Sequence, residues 1–256
     1  MVDVKSSIEA VGLTVKYGPV TAVDRLDLSV APGEVLGILG GNGAGKSSTL
    51  RAIAGVNPPT SGQLYVAGYD MSKPSEAEKA RWLIGYCPDV GGLIRQNTVR
   101  EHIGVALASR GRLENWNHAL DLLELFGLTD VLDRETLGFS HGMSRRLSVL
   151  LAAITASNIL ILDEPFDGVD PMGVHATESI IRKAKEAGVS VIISTHLLSL
   201  LTGVSDRIAV MLKGTVIESD VTERYKGLSG IDHYEDLLMH TGARQIVNAH
   251  PDTVTV

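Results

Sequence analysis

Nine consecutive residues carry the most specific chemistry in this sequence: Gly40, Gly41, Asn42, Gly43, Ala44, Gly45, Lys46, Ser47 and Ser48. The first eight match G-x-x-x-x-G-K-[ST], a loop whose glycines let successive backbone N–H groups face one anion. The loop follows the apolar run Val35–Leu39 and precedes a helix expected to begin near Lys46. A helix N-terminus at that point adds positive potential. In such a setting Lys46 reaches the β- and γ-phosphates of a nucleotide, and the Ser47 hydroxyl is a ligand for Mg²⁺. The pattern alone also fits a chance glycine-rich turn.

A second apolar run, residues 159–162, ends in Asp163 and Glu164 before Pro165. Neighbouring strand residues face opposite ways, so Asp163 is expected in the Mg²⁺ shell while Glu164 points elsewhere. A carboxylate near a γ-phosphate polarises an attacking water. By itself the acid pair is equally a solvated turn. A third run, residues 189–193, leads through Ser194 and Thr195 to His196. A histidine beyond a buried strand fits a γ-phosphate contact, and it also fits a structural role.

These side chains need a framework of buried strands and covering helices. Continuous apolar runs suit strands buried on both faces. Residues 8–15 and 26–30 read as short strands of mixed alternation, and residues 208–212 and 215–217 flank Lys213 and Gly214 as a hairpin. Thr98 and Glu101 form a capping box opening a helix toward Arg110, and Ser75 with Glu78 forms another after Pro74. Asp170 and Pro171 begin a helix running to Ala187, with Lys183 and Lys185 in its last turns and Gly188 ending it. Residues 91–139 read as a mostly helical insert. From about Val221 the pattern fades into a short helical tail with a frayed end. No internal repeat or low-complexity block is present.

The chain has 256 residues, of which 44% are hydrophobic, enough to fill the core of one large α/β domain or two small ones. Its 23 basic residues against 30 acidic ones give a net charge of −7, and aromatics are 4%. Both features argue against a nucleic-acid partner. The single cysteine, Cys87, excludes an intrachain disulfide. The longest apolar run, residues 147–162, is interrupted by Ser148, Thr155, Ser157 and Asn158 and falls short of the roughly 20 residues of a membrane span. Residues 1–9 carry no basic region leading into a long apolar core, so no secretory signal is expected. The protein is expected in the cytoplasm, reaching a membrane only through a partner.

Taken together, these motifs resemble the ATP-binding subunit of an ABC transporter over residues 8–219. The loop 40–48 resembles Walker A, and Asp163 with Glu164 resembles Walker B and its catalytic glutamate. Residues 166–170 resemble the D-loop, and His196 the switch histidine. Phe139, Ser140, His141, Gly142 and Met143 resemble the signature motif. Tyr17 matches the aromatic that stacks on adenine, and Val23 the apolar residue beside it. Two positions depart from the family pattern: His141 stands where glycine is usual, and Asp89 stands where the Q-loop has glutamine.

The resemblance implies an α/β fold: a P-loop NTPase core with an antiparallel β subdomain and a helical signature subdomain. The ATPase domain would span residues 1–220, with the helical subdomain at about 91–157, and 221–256 would form the tail. The implied cofactors are ATP and Mg²⁺, with Ser47, Asp163 and Asp89 toward the metal, and Glu164 and His196 catalytic. The implied partners are a second ATPase subunit, whose ATP meets Ser140 and Gly142 in trans, and a transmembrane permease whose coupling helix docks on the 91–139 insert. The chain would then lie on the cytoplasmic face of the membrane and power transport, with export favoured by the acid at 89 and the 210–218 segment. The alternatives are a soluble switch on a cytoplasmic assembly and a non-hydrolysing nucleotide sensor. Trp82, Trp116 and Phe126 read as core aromatics, and Arg145 and Arg146 as a solvated helix face.

Overall fold

The computed structural model of the chain describes residues 6–249. In chain order the elements are β1 (Ile8–Tyr17), β2 (Val20–Val30), β3 (Val35–Leu39), α1 (Lys46–Ile53), β4 (Ser61–Val66), β5 (Tyr69–Asp70), α2 (Pro74–Leu83), β6 (Ile84–Cys87), α3 (Val99–Ser109), α4 (Trp116–Leu125), α5 (His141–Thr155), β7 (Ile159–Asp163), α6 (Pro171–Glu186), β8 (Ser190–Thr195), α7 (Leu198–Leu201), β9 (Arg207–Leu212), β10 (Thr215–Val221) and α8 (Gly227–Ala249). They form an antiparallel sheet ordered β2-β1-β4-β5 and a larger sheet ordered β10-β9-β3-β8-β7-β6. In the larger sheet every pairing is parallel except β10 with β9.

Strand periodicity divides the large sheet's side chains between two cores. Leu36, Ile38, Ile159, Ile161 and Ile192 face a core shared with α1, α2 and the antiparallel sheet. Val35, Leu39, Leu160, Leu162, Val191 and Ile193 face the opposite core, closed by α3, α4, α5 and α6. A strand buried on both faces has no polar position to spare, which explains the unbroken apolar runs. The same parity aims Asp163 and Ser194 toward the α1 side, where the loop of residues 40–47 sits.

The expected α/β architecture is present, with several differences in detail. The first two strands are longer than expected and form one hairpin; irregular register near residues 10–16 blurs their alternation. β4, β5 and β6 were not expected, being short and glycine- or polar-rich. The Thr98 capping box is present, with the Thr98 side chain accepting from the Glu101 N–H and the Glu101 carboxylate accepting from the Thr98 N–H. The Ser75 box is not: Lys73 precedes Pro74 without a side-chain cap, and Glu76 accepts from the Asp70 N–H at 2.8 Å. Asp170 caps α6 as expected. The tail is not short, since α8 covers 23 residues; residues 250–256 lie outside the described residues, as do residues 1–5 of the segment tested for a secretory signal. No helix among the described residues is long and apolar enough to cross a membrane.

Candidate nucleotide site

Residues 40–45 link the end of β3 to the first turn of α1. Gly45 precedes the helix at φ 102°, and a Cβ there would come within 2.5 Å of the Ala22 carbonyl oxygen. Only glycine fits that position. Gly43 also adopts positive φ, and a Cβ on Gly41 or Gly43 would meet no atom within 4 Å, so the loop's crest is open. The loop is anchored by hydrogen bonds from Gly40 N–H to Thr195 O and from Gly214 N–H to Ala44 O. A cavity of about 490 Å³ lies above it, walled by residues 42–48, by Val20, Thr21 and Ala22, and by Asp89 and Glu164. That size suits a small-molecule ligand.

Lys46 is 5% exposed and donates to the carbonyls of Gly40 (2.7 Å) and Gly41 (3.3 Å). Its Nζ also lies 3.0 Å from Glu164 Oε1. The lysine thus holds the loop's own oxygens and one carboxylate, all of which phosphate oxygens can replace. Glu164 reaches this position because its backbone adopts φ 46°. That left-handed turn breaks the strand alternation which would have sent the side chain away from the loop, and it is rare for a non-glycine residue. The Glu164 N–H is held by Ser194 Oγ at 3.0 Å, and His196 Nδ1 lies 3.2 Å from Glu164 Oε2.

Asp163 is fully buried. Its Oδ1 accepts from Ser194 Oγ at 2.7 Å and from Ser47 Oγ at 3.1 Å, while Oδ2 has no partner. Burial pushes its carboxyl above the ordinary aspartate range, against the hydrogen bonds from Ser194 and Ser47. A buried carboxylate oxygen left bare beside a serine hydroxyl fits a hard, oxygen-seeking divalent cation. Ser47 and Asp163 are the residues that would hold it, with nucleotide oxygens completing the shell.

Other expected residues fall differently. Asp89 lines the cavity, with Oδ1 accepting from Arg145 at 3.1 Å. Tyr17 is exposed, accepts from Asn57 at 3.0 Å and is not among the lining residues. Val23 is fully buried in the core and is not among the lining residues; Val20, Thr21 and Ala22 line the cavity on that side. Ser140 and Gly142 are absent from the cavity wall. Ser140 is the N-cap of α5, accepting from Met143 N–H at 3.2 Å on an exposed turn.

Arg145 and Arg146 are not a solvated face. Arg145 is 4% exposed and donates to the carbonyls of Pro88, Asp163 and Asp89, and Arg146 donates to Phe126 O. Of the three aromatics, Phe126 is fully buried and Trp116 packs against the core, but Trp82 is half exposed beneath the Arg110 guanidinium. Sequence reasoning missed Ser194, whose signal was its place one strand over from Asp163 with matching parity.

The family model for "ABC transporter" matches residues 23–167 of the chain. The daunorubicin/doxorubicin resistance ATP-binding protein DrrA of Streptomyces peucetius is 36% identical over 230 residues, covering 88% of this chain and 68% of the relative. The chain belongs to the ABC transporter family. The bacitracin transport ATP-binding protein BcrA of Bacillus licheniformis is 34% identical over 212 residues, covering 82% of this chain and 68% of that protein. Among solved structures, the ATP-binding subunit of an ABC transporter superposes with a TM-score of 0.82 at 27% identity, covering 91% of this chain and 99% of the other. The fold is therefore that of an ABC ATPase cassette, and the chain is an ABC transporter ATP-binding subunit. This agrees with the resemblance read from Gly40–Ser48, Asp163, Glu164 and Phe139–Met143.

Proposed function

We propose that this chain hydrolyses ATP to power a membrane transporter, through ATP-driven closure of a dimer of such subunits on a transmembrane permease. The observation that carries the reading is that Lys46, Ser47 and Glu164 line one cavity, with Asp163 behind Ser47 and His196 against Glu164. On nucleotide entry Lys46 exchanges Gly40 O, Gly41 O and Glu164 for phosphate oxygens. Glu164 is then free to accept a proton from the attacking water, and His196 steadies its second oxygen. Bound Mg²⁺, held by Ser47 and Asp163, would neutralise charge on the phosphates. Asp89 adds a carboxylate to the same wall, with one oxygen already engaged by Arg145. Tyr17 is close enough in sequence to the Val20–Ala22 wall to cover a base once nucleotide is present.

Ser140 caps α5 on an exposed turn outside the wall of the cavity over residues 42–48, where it is open to the nucleotide of a second copy. Relatives named for drug resistance and for bacitracin transport support export and a place on the cytoplasmic face of the membrane.

The direct test is ATP turnover by the purified chain and its Glu164→Gln variant. Loss of turnover by about 100-fold or more with nucleotide binding retained is expected for removal of a general base. Equal turnover by the variant sinks the assignment. Recovery of a polytopic membrane protein in a pull-down from solubilised host membranes supports the permease partner; recovery of soluble proteins alone favours a cytoplasmic switch.

A further inference from the structure

The turn that begins α5 is built against the turn that follows Glu164. After Glu164 the chain folds back through hydrogen bonds from Asp167 N–H to Glu164 O (3.1 Å) and from Val169 N–H to Phe166 O (3.3 Å). Gly168 sits at its crest with φ 65°, and a Cβ there would come within 2.4 Å of His141 Cδ2. A Cβ on Gly142 would come within 2.6 Å of the Gly168 carbonyl oxygen. Two glycines therefore bring the backbones together, and the His141 ring lies over Gly168. His141 Nε2 is 3.2 Å from Asp167 Oδ2. Both side chains are more than half exposed, so their attraction alone is worth little. What it adds is a side-chain link across two turns whose backbones lie close together.

We propose that His141 is a positioning residue for hydrolysis: it fastens the Ser140–Gly142 turn to the Asp167–Gly168 turn, so that the face offered to a second copy moves as one body with Glu164. The proposal rests on the reading that Ser140 serves the nucleotide of a second copy. His141 is the first residue of α5, directly after the cap Ser140, so its contact with Asp167 is made one residue from that cap. Asp167 is three residues from Glu164, inside the same hydrogen-bonded turn. A glycine at 141, usual in the resembling motif, has no side chain to span these two turns. The histidine therefore supplies a contact that a glycine at this position cannot make.

The test uses the full chain, with His141→Gly, His141→Gln, Asp167→Ala and the double variant His141→Gly/Asp167→Ala. Turnover by His141→Gly is expected to fall about fivefold in kcat with KM for ATP within about twofold, because the Lys46 loop is untouched. His141→Gln keeps a donor for Asp167 and is expected to retain most of the rate. The double variant is expected to lose little beyond either single one, since the two residues act through one contact. Unchanged kcat in His141→Gly, or losses that multiply in the double variant, overturns the proposal. ATP-driven dimerisation in a Glu164→Gln background, followed by sedimentation, separates the two readings. If the parent dimerises and His141→Gly dimerises as tightly, with unchanged kcat when Glu164 is restored, only the His141 proposal fails. If the parent does not dimerise with ATP, the second-copy reading fails and this proposal with it.

Discussion

Arg145 on α5 donates to both the backbone carbonyl and the side-chain carboxylate of Asp89. The same guanidinium donates to Pro88 O at 2.8 Å and to Asp163 O at 3.2 Å. One buried side chain thus joins α5, the segment after β6 and the end of β7. Removing a buried donor leaves its acceptors without partners, at about 1–3 kcal/mol each before relaxation. Arg145→Ala is therefore expected to cost about 3 kcal/mol, read as a lower urea midpoint, while Arg25→Ala on the exposed surface stays within about 0.5 kcal/mol. Equal midpoints for the two variants would remove Arg145 from this role.

Lys46 and Glu164 are paired at 3.0 Å with both side chains largely buried. On the proposed reading nucleotide displaces that pair as it binds, and the carboxylate then faces phosphate oxygens of like charge. Glu164→Gln removes the competitor for Lys46 and the repulsion together. Its affinity for ATP is expected to rise by about three- to tenfold, equivalent to about 1 kcal/mol, in isothermal titration calorimetry. Weaker binding by Glu164→Gln would mean that the pair helps shape the site for nucleotide and does not compete with it.

Local spacing made the phosphate loop and the strand-end acids legible, because each function there is carried by residues adjacent in the chain. Arg145 was not legible: two arginines on a helix look solvated until the carbonyls of Pro88 and Asp163 are brought to them by tertiary packing. The burial of Val23 was hidden for a different reason. Arg25 adopts φ 45° within β2, and this irregularity lets Val23 share the buried face with Leu26 despite their odd separation. β6 escaped notice because Ile84–Cys87 is four residues long and contains Gly85, whose missing side chain admits the Ala152 carbonyl oxygen of α5. The left-handed Glu164 has no sequence signature, yet it turns the catalytic candidate toward Lys46.

Two glycines of the phosphate loop are expected to respond oppositely to a methyl group. Gly45→Ala places Cβ against the Ala22 carbonyl at φ 102°, combining a clash with backbone strain. A loss of about 2 kcal/mol or more is expected, with nucleotide binding lost as the first turn of α1 shifts. Gly41→Ala meets no atom within 4 Å and has no positive φ, so its stability should stay within about 0.5 kcal/mol of the parent. Thermal melts of both variants without nucleotide decide the contrast, and similar melting temperatures would show that the Gly45 contact yields without cost.

Glu218 on β10 anchors the start of α8. Its Oε1 lies 2.6 Å from His233 Nε2 and accepts from the Tyr225 hydroxyl at 2.7 Å. Burial pushes its carboxyl up, but the bonds from His233 and Tyr225, with Arg224 nearby, outweigh burial and hold it below the ordinary glutamate value. A carboxyl depressed in the folded state contributes stability that is present above its unfolded pKa, about 4.3, and is lost as pH falls through the lower folded value. Glu218→Gln is expected to cost about 1–2 kcal/mol at pH 7, since hydrogen bonds to a charged acceptor exceed those to a neutral one. Urea midpoints of parent and variant should differ most near neutrality and converge once pH has fallen below the lowered folded value. A gap that stays constant across that range would assign the anchor to packing by Tyr225 and leave the carboxylate charge no part in it.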